Sequence, residues 1–368
     1  MKLYVYAICK NEKKFAARWM QSMGEADGVY VLDTGSEDGT PEELARLGAY
    51  VACKTIEPWR FDTARNSSLE LVPQDADLCI CTDLDEVFEP GWREKLEKAA
   101  REHPADQYKY RYVWSHTENG GEGLVFWHDK IHTRQNFRWH YPVHEVLNWQ
   151  PERASKVVVA PGVALHHWPD PDKPRSQYLP LLELAAREEP QDCRCAHYLG
   201  REYMYHGQWA QAVEELRRHL TLPGSTWEAE RSASMRYLAR CYEAMHRERE
   251  ALRWLYRAIA EAPALREGYV ECAQFYYSQG NWPGVLLMCE SALAITERST
   301  TYLNEAFAWG AAPWDLAAQA AWHLGCGAKA RDYGKQALQL ELENARLQDN
   351  QRFHEALAEQ QAGTVKNG

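Results

Sequence analysis

The chain has 368 residues, more than one hydrophobic core commonly organises, so two domains are expected. At 45% hydrophobic residues it can bury a sizeable core, and its net charge of −11 argues against a nucleic-acid polymer as partner. Ten cysteines without a regular framework suit reduced thiols in a cytoplasm better than a disulfide scaffold. The longest apolar run, Val157 to Leu165, is broken by Pro161 and Gly162 and is too short to span a bilayer. The opening MKLYVYAICKNEKK lacks the apolar core and cleavage site of a signal peptide and reads directly as a strand.

Strand and helix signals alternate over the first 170 or so residues. Leu3–Cys9 is a strand ending in Lys10-Asn11-Glu12, followed by a helical pattern with Phe15, Trp19, Met20 and Met23 on one face. Gly28–Asp33 is a second strand, leading through TGSEDG to a helix with Thr40 as N-cap and Pro41 in its first position. Ala49–Lys54 is a third strand, Asp62–Leu71 a third helix and Leu78–Thr82 a fourth strand. Such alternation predicts an α/β fold with a mostly parallel sheet covered by helices, in which ligands bind at the carboxyl ends of the strands. Asn11–Glu12, Asp33 and Asp83–Asp85 each sit at such an end.

From about Asp192 the pattern becomes all-helical and repetitive. Leu199, Gly200, Tyr203, Gly207 and Ala212 have counterparts in Leu238, Ala239, Tyr242, Ala251 and Ala258, then in Ala273, Tyr276, Gly280 and Ala292, and weakly in Gly325, Ala330 and Ala337. Tyr242 and Tyr276 lie 34 residues apart, the tetratricopeptide period, while Tyr203 and Tyr242 lie 39 apart, which implies an inserted loop near Pro223–Trp227. The expected division is an α/β domain over 1–178, helical repeats over 179–345 and a polar, frayed tail over 346–368. Cys193-x-Cys195-x-His197 holds metal-like residues, but its spacing suits neither a zinc finger nor a zinc ribbon.

The stretch CICTDLDEVFEPGW, residues 79–92, places Asp83, Asp85 and Glu86 at the tip of the fourth strand. If the strand continues through them, Asp83 and Asp85 point to one side while Leu84 packs inward. Two neighbouring carboxylates repel unless a cation lies between them, and oxygen ligands suit Mg²⁺ or Mn²⁺. Such an ion can hold a diphosphate and neutralise it as it leaves. The plain alternative is a solvated turn that caps a helix starting near Pro90.

KNE (10–12), VLDTGSEDGT (31–40), FDTARN (61–66) and DLDE (83–86) together resemble the nucleotide-binding half of family-two inverting glycosyltransferases of the GT-A fold. RWHYPVHE (138–145) and ALHHW (164–168) are similar to one branch, which includes lipopolysaccharide-core glucosyltransferases and the cysteine-directed glycosyltransferases of bacteriocin clusters. This resemblance covers roughly residues 1–170 and implies a Rossmann-like GT-A domain that moves a sugar from a nucleotide-diphosphate sugar, most readily a UDP-sugar. It implies that Asp33 meets the base, with Asn11 and Glu12 lining that pocket. Asp83 would contact the ribose or a metal, and Asp85 and His166 would ligate Mn²⁺ or Mg²⁺, with His167 as the adjacent alternative. Arg65 would offer its fork to the diphosphate. Glu145 is the candidate general base with His144 beside it, and Asp129 is the reserve. The acceptor, a protein, peptide or glycan, would be held by the repeats, whose surface would otherwise bind a second copy of the chain. Rival readings are a repeat scaffold whose nucleotide-sugar-binding domain no longer catalyses, and a nucleotidyltransferase, which KNEKKF does not suit. Trp114, Trp127, Trp139, Trp149 and Trp168 fall in the segment that shapes the acceptor side, where aromatic faces stack on sugars or fill a core.

Overall fold

The computed structural model describes residues 1–117, 120–170 and 177–366. They form two compact units, one of Met1–Glu188 with Thr300–Tyr302, the other of Glu189–Ser299 and Leu303–Gly368. The division falls ten residues later than the expected 178, because the helix Tyr178–Glu188 belongs to the first unit.

The first unit runs β1 (Leu3–Cys9), α1 (Lys13–Ser22), β2 (Gly28–Asp33), α2 (Thr40–Arg46), β3 (Tyr50–Cys53), α3 (Phe61–Glu70), β4 (Leu78–Cys81), β5 (Glu86–Phe88) and α4 (Trp92–Glu102). It continues with β6 (Gln107–Val113), β7 (Val125–His132), β8 (Phe137–His140), β9 (Val146–Trp149), β10 (Val157–His167) and α5 (Tyr178–Glu188). Eight strands make one sheet in the order β3-β2-β1-β4-β7-β6-β10-β5, and β8 and β9 form a separate hairpin. The left half, β3-β2-β1-β4, is parallel as expected. The right half is mixed, since β7 runs antiparallel to both β4 and β6. Two reversals cancel, so β6 and its parallel neighbour β10 point the same way as β1 and β4. Their carboxyl ends, with Trp114 and His167, therefore share a rim with Asp33 and Asp83.

The core under this rim is built from Val5, Val31, Leu78, Ile80, Trp19, Trp92, Tyr110 and Tyr112, all essentially inaccessible. Trp19 donates from Nε1 to Thr82 Oγ1 at 3.1 Å, which ties α1 to the foot of the acidic tip. A second polar chain crosses the core, with Trp139 Nε1 donating to Tyr6 Oη (2.9 Å) and the tyrosine hydroxyl meeting His132 Nε2 (2.8 Å). His132 Nδ1 faces the Thr133 carbonyl at 2.8 Å, so the ring carries its proton there and accepts from Tyr6. Burial pushes His132 down to about 4, well below an ordinary histidine.

Two local expectations change. Gly39, with φ of 83°, is the N-cap of α2, and Thr40 is its first residue. A side chain at Gly39 would be strained in that left-handed conformation. The acidic tip is not a continuation of β4: the strand ends at Cys81, and Leu84 and Asp85 form a turn before β5. Leu84 is nonetheless fully buried in the core, a contribution of about 1.5–3 kcal/mol that pins the turn between its two aspartates.

The second unit consists of helices α6 (Cys193–Tyr205), α7 (Trp209–Thr221), α8 (Glu228–Ala244), α9 (Glu248–Glu261), α10 (Arg266–Ser278), α11 (Trp282–Leu293), α12 (Ala312–His323), α13 (Gly327–Leu340) and α14 (Ala345–Lys366). Consecutive helices pack as antiparallel pairs, the repeat architecture expected. Gly200 shows why small residues recur: a Cβ there would lie 2.7 Å from Leu216 Cγ and 3.0 Å from the Leu216 nitrogen of α7. The tail expected to fray is the helix α14, which buries Leu347, Gln351, His354 and Ala358. No described helix is long and apolar enough to cross a membrane.

Candidate functional site

Asp33, at the end of β2, is almost wholly buried and spends its carboxylate on its own loop. Oδ1 accepts from the Gly35 and Ser36 amides, each at 2.9 Å, and Oδ2 accepts from the Ser36 hydroxyl. Asn11 sits in the left-handed region with φ of 56° and stitches the same loop, its Oδ1 accepting from the Glu37 amide at 2.8 Å. The Glu12 amide donates to Thr40 Oγ1 at 2.8 Å. The DTGSEDGT string is thus a rigid, self-bonded shelf at the ends of β1 and β2.

The acidic tip is neutralised by cations that the chain itself supplies. Arg65, on α3 and nearly inaccessible, donates from Nη2 to Asp83 Oδ1 at 2.8 Å and from Nε to Glu145 Oε1 at 2.5 Å. Its third contact, Nη1 to Cys81 Sγ, is 3.2 Å. Burial pushes the Cys81 thiol up to about 11 even beside that guanidinium, so it stays neutral. Lys130, on β7, lies 3.2 Å from Asp83 Oδ2 and 3.9 Å from Glu86 Oε1. Burial works against its charge, but Asp83 and Glu86 outweigh it and hold the ammonium above the usual lysine range. Glu86 is saturated, accepting from Tyr112 Oη at 2.6 Å and from the Asp83 amide at 2.9 Å.

Asp85 turns away from this cluster. Its Oδ2 lies 3.5 Å from His167 Nε2, and its carbonyl accepts from the Trp168 amide at 2.8 Å. Burial disfavours the His167 imidazolium, yet the Asp85 carboxylate more than compensates and raises its proton affinity. His166, expected as the metal ligand, is not brought to Asp85. In the β10–β5 ladder His167 stands opposite Glu86 and His166 opposite Val87, so alternation sends the two imidazoles to opposite faces. His166 instead meets Glu89 Oε1 at 3.1 Å and His116 Nε2 at 3.0 Å.

Glu145 is drawn into the Arg65 cluster through Oε1, with its side chain about one-tenth exposed. His144 adopts φ of 51° and packs its ring 5.7 Å from that of Tyr178. Asp129, the reserve base, is half-exposed beside His128, 3.6 Å away. Of the five tryptophans, Trp139 is core, while Trp114, Trp127 and Trp168 are exposed. Trp114 stacks on His167 with centroids 4.4 Å apart, and Trp168 stacks on His116 at 3.7 Å. Lys130 and Glu86 escaped sequence reading. The first lies in a strand whose register the sequence does not disclose, and the second read as one more acid in a run.

Comparison with known families gives one match. Residues 4–148 match the family model described as glycosyl transferase family 2. This span holds the self-bonded shelf, the acidic tip and Glu145, and it supports a glycosyltransferase domain in the first unit. No curated protein matches the chain. Similar solved structures include MamA, at 19% identity and TM-score 0.37 over 46% of this chain and 89% of that one. Pseudomonas aeruginosa pilF is similar at 14% identity and TM-score 0.38, covering 47% and 72% of the two chains. YrrB, described as a TPR protein with an unusual peptide-binding site, is similar at 11% identity and TM-score 0.36, covering 47% and 81%.

Proposed function

We propose that the first unit transfers a sugar from a nucleotide-diphosphate donor, most readily a UDP-sugar, with inversion at the anomeric carbon, to an acceptor held by the helical repeats. The observation that carries this reading is the convergence of Arg65, Lys130, Asp83, Asp85 and His167 on the rim beside the Asp33 shelf. The donor's base would lie against the shelf, where Asn11, Glu12 and Asp33 end their strands, and its diphosphate would meet the tip.

At the tip itself a divalent cation would be held by Asp85 and His167; among the described residues Glu89, Glu122 and His166 nearby also bring ligand atoms within 4.8 Å of one another. Asp85 Oδ2 and His167 Nε2, 3.5 Å apart and each about one-tenth exposed, offer one oxygen and one nitrogen, a set that suits Mn²⁺ better than Mg²⁺. Asp83 fits a cation less well, because Arg65 and Lys130 already flank it. When bound, the ion would supply positive charge to the departing diphosphate. Arg65 would add a charge-assisted hydrogen bond to the same phosphate oxygens.

Inversion asks for a single displacement, in which the acceptor atom bonds to the anomeric carbon as the carbon–oxygen bond to the diphosphate breaks. Glu145 Oε2 would take the acceptor's proton, with His144 alongside. Exposed Trp114, stacked on His167, offers a flat apolar face for a sugar ring.

The experiment is donor turnover and transfer with Asp85→Ala, His167→Ala and His166→Ala, each with and without chelator. Asp85→Ala and His167→Ala should be inactive, while His166→Ala retains activity. Full activity in Asp85→Ala or in excess chelator removes the metal and leaves Arg65 and Lys130 as the counter-charge among the described residues. Donor binding without any sugar release would mark the domain as a non-catalytic binding module.

A further inference from the structure

The helical unit gathers a set of side chains that sequence spacing gave no reason to connect. His197 on α6, His219 on α7 and Glu230 on α8 each present a ligand atom, and these atoms lie within 4.8 Å of one another. Both imidazoles are completely inaccessible and Glu230 is 7% exposed. His219 Nε2 is 3.3 Å from Glu230 Oε1, close to the edge of about 3.3 Å that two ligands subtend around a tetrahedral Zn²⁺. The Nδ1 atoms of both histidines converge on one hydroxyl, Ser234 Oγ, at 2.7 Å from His197 and 2.9 Å from His219. His197 Nε2 is buried and has no hydrogen-bond partner.

Hydrogen bookkeeping shows what is missing. A serine oxygen can accept from two N–H donors at once, so Ser234 can fix both rings with their protons on Nδ1. His219 Nε2 is met by Ser225 Oγ and by the Glu230 carboxylate, which leaves His197 Nε2 as the buried nitrogen without a hydrogen-bond partner. A buried ring nitrogen without a hydrogen-bond partner, set beside a second buried imidazole and a buried carboxylate, is the donor set of a metal site whose ligands are oriented through their outer nitrogens.

We propose that His197, His219 and Glu230 form a structural zinc site that clamps α6, α7 and α8 together. Two imidazoles and one carboxylate suit Zn²⁺, whereas Mg²⁺ and Ca²⁺ prefer all-oxygen shells. Ser225 Oγ, 3.0 Å from His219 Nε2, stands ready as the fourth group. The guanidinium charges of Arg201, Arg194 and Arg236 also act on His197 and oppose a cation. The Glu230 carboxylate is therefore indispensable, and Glu230→Gln is the decisive variant. The cysteines of Cys193-x-Cys195 play no part: the histidine between the helices, not the local spacing, makes the site.

The test uses the full chain, purified after growth with zinc and analysed for metal by mass spectrometry. Wild type and Asp85→Ala should each carry about one zinc per chain, whereas His197→Gln and Glu230→Gln retain under about a tenth of that. Ser234→Ala should weaken zinc binding about 10–100-fold. Titration of the metal-free wild type with Co²⁺ should give the visible absorption of a tetrahedral site, and this readout decides the matter if a variant fails to fold. Zinc undiminished in folded Glu230→Gln, or wild type that binds neither zinc nor Co²⁺, overturns the proposal.

Discussion

Replacing Lys130 by methionine separates the charge balance of the acidic tip from its shape, because the two side chains have nearly the same length. In the native chain the ammonium lies 3.2 Å from Asp83 and 3.9 Å from Glu86, with only 12% of its side chain exposed. At an effective dielectric constant of about 20, the closer pair alone attracts by roughly 5 kcal/mol, and desolvation of the ammonium takes back part of that. Removing one partner of such a pair leaves a poorly solvated carboxylate behind, at a cost of about 3–5 kcal/mol. For a domain of this size the cost corresponds to a fall in melting temperature of roughly 6–20 °C. Thermal denaturation followed by tryptophan fluorescence measures it, with Lys329→Met as the control. Lys329 pairs with Glu290 on the surface, 55% exposed, so its loss should leave the melting temperature nearly unchanged. The pH dependence gives a second check. Lys130 has its folded proton affinity raised, so its stabilisation is fully present below the unfolded lysine value of about 10.4 and is lost as pH rises above it. The gap between wild type and Lys130→Met should be constant from pH 7 to 9 and narrow above about 10. A variant as stable as wild type at pH 7 would refute the account of the tip.

Three further outcomes follow from other parts of the molecule. His132 is held near 4 by burial, so its neutral form contributes stability above about 6.5 that is lost as pH falls toward 4; this is worth about 3 kcal/mol and should be absent from the acid limb of His132→Gln denaturation curves. The His167 charge is favoured by Asp85, so the stability it adds is present below about 6.5 and fades as pH rises; Asp85→Asn should therefore lose more stability relative to wild type at pH 5.5 than at pH 8. Gly200→Ala should destabilise the helical unit by about 1–3 kcal/mol in chemical denaturation despite alanine's better helix propensity, because its methyl group meets Leu216.

The parallel half of the sheet was legible because its strands are short apolar runs with polar punctuation, and β1 and β2 begin and end where the pattern does. The helical pairs were legible because small residues recur where helices touch, as at Gly200 and Ala212. What escaped depends on register and on distant partners. One step along β10 exchanges His166 for His167, and only the ladder with β5 decides between them. The acids of the tip implied a missing positive charge, but not that Arg65 and Lys130 provide it from elements 18 and 47 residues away. Helix α14 hid because two of the residues it buries, Gln351 and His354, are polar and gave no apolar stripe.

The guanidinium of Arg65 joins an aspartate 18 residues downstream to a glutamate 80 residues downstream. On the ribosome, where a chain emerges at about 5–20 residues per second, β1 to β4 are complete several seconds before Lys130, Glu145 and His167 exist. During that interval the nascent acids at 83–86 have at most one of their eventual counter-charges. The rim is therefore complete only once β10, the last strand of the domain, has been made.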